Sequence, residues 1–329
     1  MNQKIAVIGS NSFSGAHFVG FCLEKDLSVI GISRSKEADS VFLPYKNKPS
    51  LKFQFHQLDL NHDLNHIMDV LNRFKPAFIV NFAAQSMVAE SWQYPEHWFQ
   101  TNVLSTVRFH NAIRNCKFLE KYVHISTPEV YGTCAGHVSE NTHYNPSTPY
   151  AVSRAAADMS LMSFYHAYGF PVVYTRAANV YGEFQRLYRI IPKTILFFLT
   201  GRKIPLHGGG KSIRSFIHIR DVVDGTLRAA LDGQPGQIYH FATEQSISIC
   251  DLVRMVAEQM KIPFEDNVEI EDDRLGKDTA YLLDSSKTRL SLGWADSITL
   301  DTGISRTIGW VRDNLDALKR LPIDYIHKP

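Results

Sequence analysis

The sequence predicts an α/β protein built on a doubly wound parallel sheet, followed by a smaller α/β region. Three observations carry this prediction: short apolar segments alternate with helix-like ones, several apolar segments are continuously hydrophobic, and a turn of small residues joins the first strand to the first helix. Continuous apolar runs are typical of parallel strands covered on both faces. A chain of 329 residues has room for about two domains.

The elements of the first half follow from this alternation. Strands are predicted over residues 4–8, 28–33, 78–82, 122–126 and 172–176. Helices are predicted between them over residues 14–24, 64–74, 98–115 and 150–168. Strand and helix alternating in this way imply the doubly wound sheet.

The pattern changes after Arg176. Proline and glycine are frequent over residues 182–210, and a strand-like segment at 215–219 then leads into a helix that begins near Asp221. Helices are predicted over residues 249–260 and 304–318, with loop and short strand over the polar segment 265–284. We place a domain boundary near residue 176 and expect the chain to return to the first domain around residues 215–240.

Composition excludes several classes of function. Lys plus Arg total 35 and Asp plus Glu total 33, so a formal net charge of +2 does not predict a nucleic-acid or membrane surface. Four cysteines lie far apart without a CxxC pair, which indicates reduced thiols and no zinc site. The first residues lack the plan of a signal peptide, and the longest apolar stretch, 195–199, is too short to span a bilayer. We expect a soluble, cytoplasmic protein.

The turn after the first strand, GSNSFSG over residues 9–15, opens the first predicted helix. Glycines there let the backbone approach a pyrophosphate, whose charge the helix N-terminus stabilises. Ser12 stands where a middle glycine is usual, and such a turn is also compatible with a plain strand–helix connection. The cofactor-binding residues predicted here are Gly9, Asn11, Ser12, Phe13, Ser14 and Gly15.

The end of the second strand bears on which dinucleotide binds. An acidic residue at this place accepts the ribose hydroxyls of NAD, whereas this chain has Ser33 and Arg34. A guanidinium pairs with a ribose phosphate that a carboxylate would repel, so we prefer NADP to NAD. The alternative is that Arg34 is an ordinary solvated arginine.

A second group of candidate site residues follows the predicted strand at 122–126. Thr127 and Glu129 come directly after it, and Tyr150 and Arg154 begin a later helix. A tyrosine four residues before a cation shares its helix face, and the positive charge stabilises a phenolate there. The Thr127 hydroxyl can orient a substrate oxygen that loses its proton.

These motifs occur in the order and spacing of the extended short-chain dehydrogenase/reductases, whose first domain is a Rossmann fold. Among them, the chain most resembles the nucleotide-sugar 4,6-dehydratases of the GDP-mannose and dTDP-glucose kinds. The motifs that carry the resemblance are the 9–15 turn, LDL around Asp59, and residues 81–86, 126–132, 150–154, 176–182, 214–216, 273–278 and 292–294. The resemblance therefore covers nearly the whole chain.

The resemblance implies a reaction. Tyr150, with a pKa lowered by Arg154 and the nicotinamide charge, deprotonates the carbon 4 hydroxyl while hydride leaves carbon 4. Thr127 hydrogen-bonds that oxygen. Glu129 removes the carbon 5 proton, water leaves from carbon 6 and the hydride returns there, which gives a 4-keto-6-deoxy sugar. Glu129 separates this group from simple epimerases better than from UDP-glucuronate decarboxylases, so epimerisation, decarboxylation and reduction of a nucleotide sugar stay open.

The resemblance also implies the binding residues and the assembly. It assigns residues 1–176 to an NADP(H)-binding domain and residues 177–329 to a nucleotide-sugar-binding domain. It also implies a homodimer, formed through a helix pair that includes the Tyr150 helix. Further cofactor-binding residues are Asp59, Leu60, Ala83, Ala84 and Gln85, beside Tyr150 and Arg154 themselves. The substrate-binding residues are Ser86, Asn179, Arg214 and Arg274, the two arginines gripping the diphosphate.

Three residues depart from the family pattern. Arg154 replaces the usual lysine, which keeps the charge with a different donor geometry. Pro128 stands where dTDP-glucose enzymes have an acid and GDP-mannose enzymes a serine, so its side chain cannot protonate the departing hydroxyl. Ser12 is the third. Together they leave open a rival interpretation, a non-catalytic NADP-binding protein.

Overall fold

The structure is a computed structural model that describes residues 3–47, 50–134, 136–272 and 282–329. Its strands are β1 (Lys4–Ile8), β2 (Ser28–Ser33), β3 (Phe53–Gln57), β4 (Phe78–Asn81), β5 (Lys121–Ile125), β6 (His137–Val138), β7 (Val172–Ala177), β8 (Asn179–Tyr181), β9 (Ile204–His207), β10 (Ile213–Arg214), β11 (Phe216–His218), β12 (Ile238–Phe241), β13 (Ile247–Ser248), β14 (Val268–Glu271) and β15 (Leu282–Leu283).

The helices cover much of the remaining chain. They are α1 (Phe13–Glu24), α2 (Leu64–Phe74), α3 (Pro95–Trp98), α4 (Thr106–Ile113), α5 (Pro149–Tyr168), α6 (Ile190–Leu199), α7 (Ile219–Asp232), α8 (Ile249–Met260), α9 (Ser286–Leu292), α10 (Leu300–Asp313) and α11 (Leu315–Leu318). A π-helical segment, Phe99–Ser105, lies between α3 and α4.

Seven strands form one parallel sheet in the order β12-β7-β5-β4-β1-β2-β3. From β1 the chain first builds outward through β2 and β3, then crosses to the other side of β1 with β4. The strand order therefore reverses between β1 and β4, and ligands of open α/β sheets bind in the crevice at the carboxyl ends of such a pair. This confirms the doubly wound parallel sheet that the sequence predicts.

Both faces of the sheet are buried. Because successive side chains of a strand point to opposite faces, Ile5 and Val7 pack into one core while Ala6 and Ile8 pack into another. The first core includes α1 and α7, and the second includes α2, α4 and α5. Burial on both faces explains why β1 reads as an unbroken apolar run.

Most predicted elements of the first half agree with the structure. The predicted bounds of β1, β2 and α2 are those observed; those of β4, β7, α1 and α5 differ by one residue at one end, and those of β5 by one residue at each end. Two elements differ more. The helix predicted over 98–115 is interrupted by the π-helical segment, and β3 has no counterpart in the prediction, because on the sheet edge its sequence FQFHQ is only partly apolar and partly buried.

The second half packs around a core of its own, in which α6, α8 and α10 meet. The predicted helix at 249–260 is α8, and the helical segment predicted at 304–318 is divided into α10 and α11. The return of the chain to the first domain is expected around residues 215–240. In the structure β12 joins the seven-stranded sheet by pairing with β7. The division at residue 176 into two functional domains stays a prediction.

Three further facts bear on function. Within the described residues, no helix is long and apolar enough to cross a membrane. In the same part of the chain, no group of three or more His, Cys, Asp or Glu side chains is placed to hold a metal ion. None of the four cysteines forms a disulfide with another described cysteine.

Candidate active site

A cleft of about 1140 Å³ lies along the carboxyl edge of the sheet and continues beneath the second half of the chain. It is lined by nearly every residue for which the sequence predicts a site role: Gly9, Asn11, Ser12, Phe13, Ser14, Ser33, Arg34, Asp59, Leu60, Ala83, Ala84, Gln85, Ser86, Thr127, Glu129, Tyr150, Arg154, Asn179 and Arg214. Gly15 lies just behind the lining, and Arg274 falls outside the described residues. Sequence positions far apart therefore converge on one site.

The turn between β1 and α1 is built so that backbone faces the cleft. Gly9 has φ +81°, and a Cβ there would lie 2.6 Å from the backbone nitrogen of Ala83. A Cβ on Gly15 would lie 2.2 Å from the carbonyl oxygen of Gly9. Only glycine fits either position, because any side chain would clash with backbone that cannot move away.

Ser12 has a structural reason for replacing the usual glycine. Its hydroxyl accepts a hydrogen bond from Gly15 N (3.0 Å) and donates one to Gly9 O (2.7 Å). Ser12 is thus the N-cap of α1, satisfying an amide that the first helical turn leaves without an intrahelical partner. Phe13 and Ser14 of that turn line the cleft, so the positive end of the helix dipole lies where an anion is stabilised.

The turn after β2 is held to the turn after β1. Asn11 Nδ2 donates to the carbonyl oxygens of Ser35 (2.8 Å) and Lys36 (2.9 Å), and Asn11 N donates to Ser33 Oγ (3.0 Å). The Arg34 guanidinium donates to the backbone oxygens of Lys328 (3.0 Å) and Pro329. A cation and two serine hydroxyls therefore stand at the corner where the sequence predicts a ribose phosphate.

Tyr150 stands at the first turn of α5, whose N-cap Thr148 accepts a hydrogen bond from Ala151 N (3.1 Å). The net pKa of Tyr150 is raised to about 12, chiefly by burial and then by the nearby Glu129 carboxylate, while Arg154 and a hydrogen bond with Thr127 act in the opposite direction. The expectation that Arg154 lowers this pKa is right in sign. The net result is the reverse of that expectation, because loss of water around the phenol outweighs the cation.

Glu129 belongs to a 3₁₀ turn, Pro128–Tyr131, at the end of β5. Thr127 is the N-cap of this turn and accepts a hydrogen bond from Glu129 N (3.4 Å), with Pro128 at the first position, where proline fits best. Pro128 is buried and offers no proton. The turn therefore holds a half-buried carboxylate beside the phenol of Tyr150.

Arg154 lies one helical turn below Tyr150 and is 3% exposed. Its Nη2 donates to the carbonyl oxygen of Ile125 and lies 3.4 Å from His124 Nε2. Its Nε is buried without a hydrogen-bond partner among the described residues. The guanidinium is therefore fixed to the end of β5, at the floor of the cleft.

A buried ionic network around Asp158 lies next to Arg154. No motif in the sequence predicts a role for this network. Asp158 accepts hydrogen bonds from Arg176 Nη2 (2.8 Å) and Ser126 Oγ (2.6 Å), and its second oxygen lies 3.3 Å from His124 Nε2. Burial alone would raise the pKa of Asp158, but Arg176, His124 and Ser126 outweigh burial and hold it well below its usual range. Asp158 follows Arg154 by four residues, which is the sequence signal that places both on one face of α5.

The second half contributes further polar groups to the cleft. Asn179 begins β8, and Arg214, 9% exposed, donates to Ile213 O (2.7 Å). Arg186 and Arg189 also line the cleft and were not singled out from the sequence; Arg186 Nη2 donates to Asn11 O (3.4 Å). These arginines make this part of the cleft basic, which suits an anionic ligand.

Comparison with known proteins agrees with this geometry. The sequence matches the GDP-mannose 4,6 dehydratase family over residues 7–307. It is 31% identical to mouse dTDP-D-glucose 4,6-dehydratase, over 95% of this chain and 89% of that protein, and 29% identical to dTDP-glucose 4,6-dehydratase of Xanthomonas campestris, over 94% and 93%.

Solved structures resemble the whole fold. The crystal structure of DesIV, a dTDP-glucose 4,6-dehydratase from Streptomyces venezuelae with NAD and TYD bound, superimposes with a TM-score of 0.89 at 27% identity, over 96% of this chain and 98% of that one. The family match spans the glycine turn, the Thr127–Tyr150 constellation and the second-half residues around the cleft. The chain therefore belongs to the GDP-mannose 4,6 dehydratase family, within the extended short-chain dehydrogenase/reductases.

Proposed function

We propose that this protein is a nucleotide-sugar 4,6-dehydratase, which converts a nucleoside-diphosphate hexose into its 4-keto-6-deoxy derivative. One observation carries the proposal: Glu129 lies close enough to Tyr150 to raise its pKa, and Thr127 hydrogen-bonds the same tyrosine. Such an elimination needs two bases. A tyrosine accepts the proton of the sugar hydroxyl, and a carboxylate removes the proton of the neighbouring C–H group. All three line the cleft that the glycine turn also lines.

The cofactor we propose is a nicotinamide dinucleotide, with NADP preferred. The turn fits a pyrophosphate, because Gly9, Ser12, Phe13 and Ser14 line the cleft at the N-terminus of α1, and neither Gly9 nor Gly15 has room for a Cβ. Asp59, Leu60, Ala83 and Ala84 would hold the adenosine half, and Arg34 would hold a ribose phosphate. The related DesIV structure contains NAD, so dinucleotide binding is supported independently of the NADP preference.

When bound, the dinucleotide supplies a hydride acceptor and donor for the sugar. Tyr150 takes the proton of the carbon 4 hydroxyl, and Thr127 hydrogen-bonds that oxygen and orients it. Arg154 stabilises the phenolate form of Tyr150 that accepts this proton, and the transfer leaves a neutral phenol. Its hydrogen bond to Ile125 O fixes the charge below the tyrosine without a flexible lysine stem.

Glu129 then removes the carbon 5 proton, which the carbon 4 ketone has made acidic. Pro128 carries no proton, so Glu129 returns the one it has gained to the hydroxyl that departs from carbon 6. One carboxyl group serving as base and then as acid balances the loss of water, and the proton that Tyr150 took from the carbon 4 hydroxyl balances the one that carbon 5 regains when carbon 6 is reduced. This explains how a proline is tolerated where relatives have an acid or a serine.

The proposed substrate is a nucleoside-diphosphate sugar, held mainly by residues 177–329. Arg214 and Asn179 would bind the diphosphate, and Ser86 would bind the sugar from the side of β4. Arg274, which lies outside the described residues, is proposed for the same task by its motif. The division into a dinucleotide domain over 1–176 and a sugar domain over 177–329 is part of this proposal.

We also propose a homodimer. Val152 and Met159 on α5 are 39% and 61% exposed, and Leu104 on the neighbouring π-helical segment is 42% exposed. Apolar side chains left on adjoining helices favour association with a second copy. Sedimentation of the purified protein tests this, and a monomer at working concentration would contradict it.

The test of the proposed function is a product-mass experiment. The purified protein is incubated with GDP-mannose, dTDP-glucose, CDP-glucose, UDP-N-acetylglucosamine or UDP-glucuronate, each with NAD or NADP. Loss of one water from a donor supports the proposal and names the base and sugar. Loss of carbon dioxide would assign Glu129 to a decarboxylase, and unchanged mass with altered retention would indicate an epimerase. Cofactor binding without any turnover would favour the non-catalytic rival.

A further inference from the structure

Residues 322–329, here called the strap, follow α11 and run along the mouth of the cleft. Asp324 accepts a hydrogen bond from Lys193 Nζ (3.2 Å), and the Tyr325 ring meets Tyr188 edge-on at 5.4 Å. Asp324, Tyr325, Ile326 and Lys328 are among the residues that line the cleft. The strap therefore extends from the part of the cleft beside Lys193 and Tyr188 toward the glycine turn.

His327 anchors the strap to the first domain. Its ring stacks on Trp98 and Tyr94, with centroids 5.2 Å and 5.1 Å apart, and its Nε2 lies 2.8 Å from His97 Nδ1. Trp98 is fully buried, so this aromatic seat is part of the folded body. Stacking on a rigid ring system holds the backbone of the next two residues in place.

The held backbone meets Arg34. Lys328 O accepts hydrogen bonds from Arg34 Nη2 (3.0 Å) and Gln85 Nε2 (2.6 Å), and the backbone oxygen of Pro329 accepts one from Arg34 Nη1. Arg34 follows β2 and Gln85 follows β4, which lie on opposite sides of β1. The strap therefore crosses the cleft directly over the switch point of the sheet.

The strap uses the donors that a ribose phosphate needs. A guanidinium binds a phosphate in a forked arrangement through two N–H groups, and both terminal nitrogens of Arg34 already donate to strap oxygens. We infer that the strap competes with the 2′-phosphate of NADP for Arg34 and thereby determines the choice between NADP and NAD. NAD has no phosphate at this position, so it does not require the strap to release Arg34.

This inference rests on the proposed dinucleotide site and extends it. In our proposal Arg34 gives the chain its preference for NADP, and the strap limits that preference. The competing oxygens belong to the backbone, so no side-chain substitution removes them directly. Two changes release them: deletion of residues 322–329, and His327→Ala, which removes the aromatic anchor and leaves the strap in the chain.

The experiment measures Kd for NAD and NADP by calorimetry with the purified full chain, the deletion variant and His327→Ala, without a sugar. We expect each change to tighten NADP binding by about tenfold, because a charge-assisted hydrogen bond is worth about one such factor. NAD binding should change by less than about twofold. Leu290→Ala is the control, because Leu290 is 87% exposed and is not among the residues that line the cleft.

An Arg34→Ala background completes the test. There the deletion should bring no gain that is specific to NADP, since the group for which the two ligands compete is absent. Weaker NADP binding after deletion, equal gains for both dinucleotides, or a specific gain that persists without Arg34 would each overturn the inference while leaving the dinucleotide site intact. Failure of every form to bind either dinucleotide would overturn the proposed cofactor as well.

Discussion

Arg154 Nη2 donates a hydrogen bond to the carbonyl oxygen of Ile125, the last residue of β5. The charge that lowers the pKa of Tyr150 is thus held by the strand that also carries Thr127 and Glu129 at its end. A guanidinium reaches a backbone oxygen from this position of α5 and keeps its charge under the phenol. The replacement of the family's lysine therefore retains the electrostatic part of the site.

The first prediction concerns this charge. Arg154→Met should raise the pKa of Tyr150 and lower kcat at neutral pH by about tenfold or more, because less phenolate is available. Arg154→Lys should keep most of the activity, since the charge is preserved. The pH dependence of kcat for both variants checks this. Equal rates for Arg154→Met and the unchanged enzyme would remove Arg154 from the mechanism.

The second prediction concerns Tyr150 itself. Its pKa of about 12 lies above the working pH, so the phenol is protonated in the free protein and kcat/KM should rise about tenfold per pH unit on the acidic side of the pKa of the essential base. Tyr150→Phe should lower kcat by about 100-fold or more and abolish this rise. Tyr168→Phe is the control, because Tyr168 lies on the same helix and is 60% exposed. A Tyr150→Phe variant with the same pH profile would disprove the assignment.

The third prediction separates Glu129 from Tyr150. Glu129→Gln should lower the rate of dehydration by about 100-fold or more but leave oxidation at carbon 4 intact, because the amide cannot take the carbon 5 proton. Single-turnover absorbance would then show reduced nicotinamide that accumulates instead of being consumed. Glu244→Gln, in an exposed turn, should behave as the unchanged protein. Full dehydration by Glu129→Gln would assign the proton transfer to another group.

The fourth prediction concerns the buried network. Asp158→Asn should lower the free energy of unfolding by about 3–5 kcal/mol, because it leaves Arg176 buried without its counter-charge. Asp224→Asn breaks a half-exposed pair with Arg228 and should cost less than about 1 kcal/mol. Urea unfolding of both variants gives the two values. Similar losses for the two would mean that the Asp158 pair contributes no more than a surface pair.

The pH dependence of this contribution has a definite sign. The folded-state pKa of Asp158 is well below its unfolded value, so its stabilisation is present at and above an unfolded pKa of about 4 and is lost as pH falls further. The difference between the unchanged protein and Asp158→Asn should therefore stay constant from neutral pH to about pH 5 and shrink in stronger acid. A difference that shrank between pH 8 and about pH 6 would point instead to a histidine such as His124.

Local patterns explain how much of this molecule could be predicted. The bounds of α8 follow from apolar positions that repeat with the helical period between a capping Ser248 and Lys261 in the left-handed conformation. By contrast, α6 was not predicted, because its IIPKTILFFL sequence is apolar on nearly every side and shows no such period. Hydrophobic periodicity predicts a helix that has one solvent-exposed face, and it misses a helix that is buried on every side.

The site was predicted in composition but not in its contacts. Thr127, Glu129 and Tyr150, which the motifs group, line the same cleft, since each lies next to a strand end or helix start that the pattern predicts, and their catalytic roles stay predictions. The net pKa of Tyr150 could not be predicted, because it depends on burial, which tertiary packing decides. Nor could the contact of Arg34 with Lys328, whose partners are 294 positions apart in sequence.

The last prediction tests the turn after β1 by its backbone. Gly9→Ala should lower the free energy of unfolding by about 1–3 kcal/mol and weaken binding of both dinucleotides, because the added Cβ meets Ala83 N at 2.6 Å in a left-handed backbone conformation. Gly309→Ala, in α10 with open space around the new Cβ, should instead stabilise the protein by up to about 1 kcal/mol. Urea unfolding and calorimetric Kd values check both. Opposite signs for the same substitution would show that the turn after β1 requires glycine for its conformation and close approach, and equal small effects would mean that the cleft tolerates a side chain there.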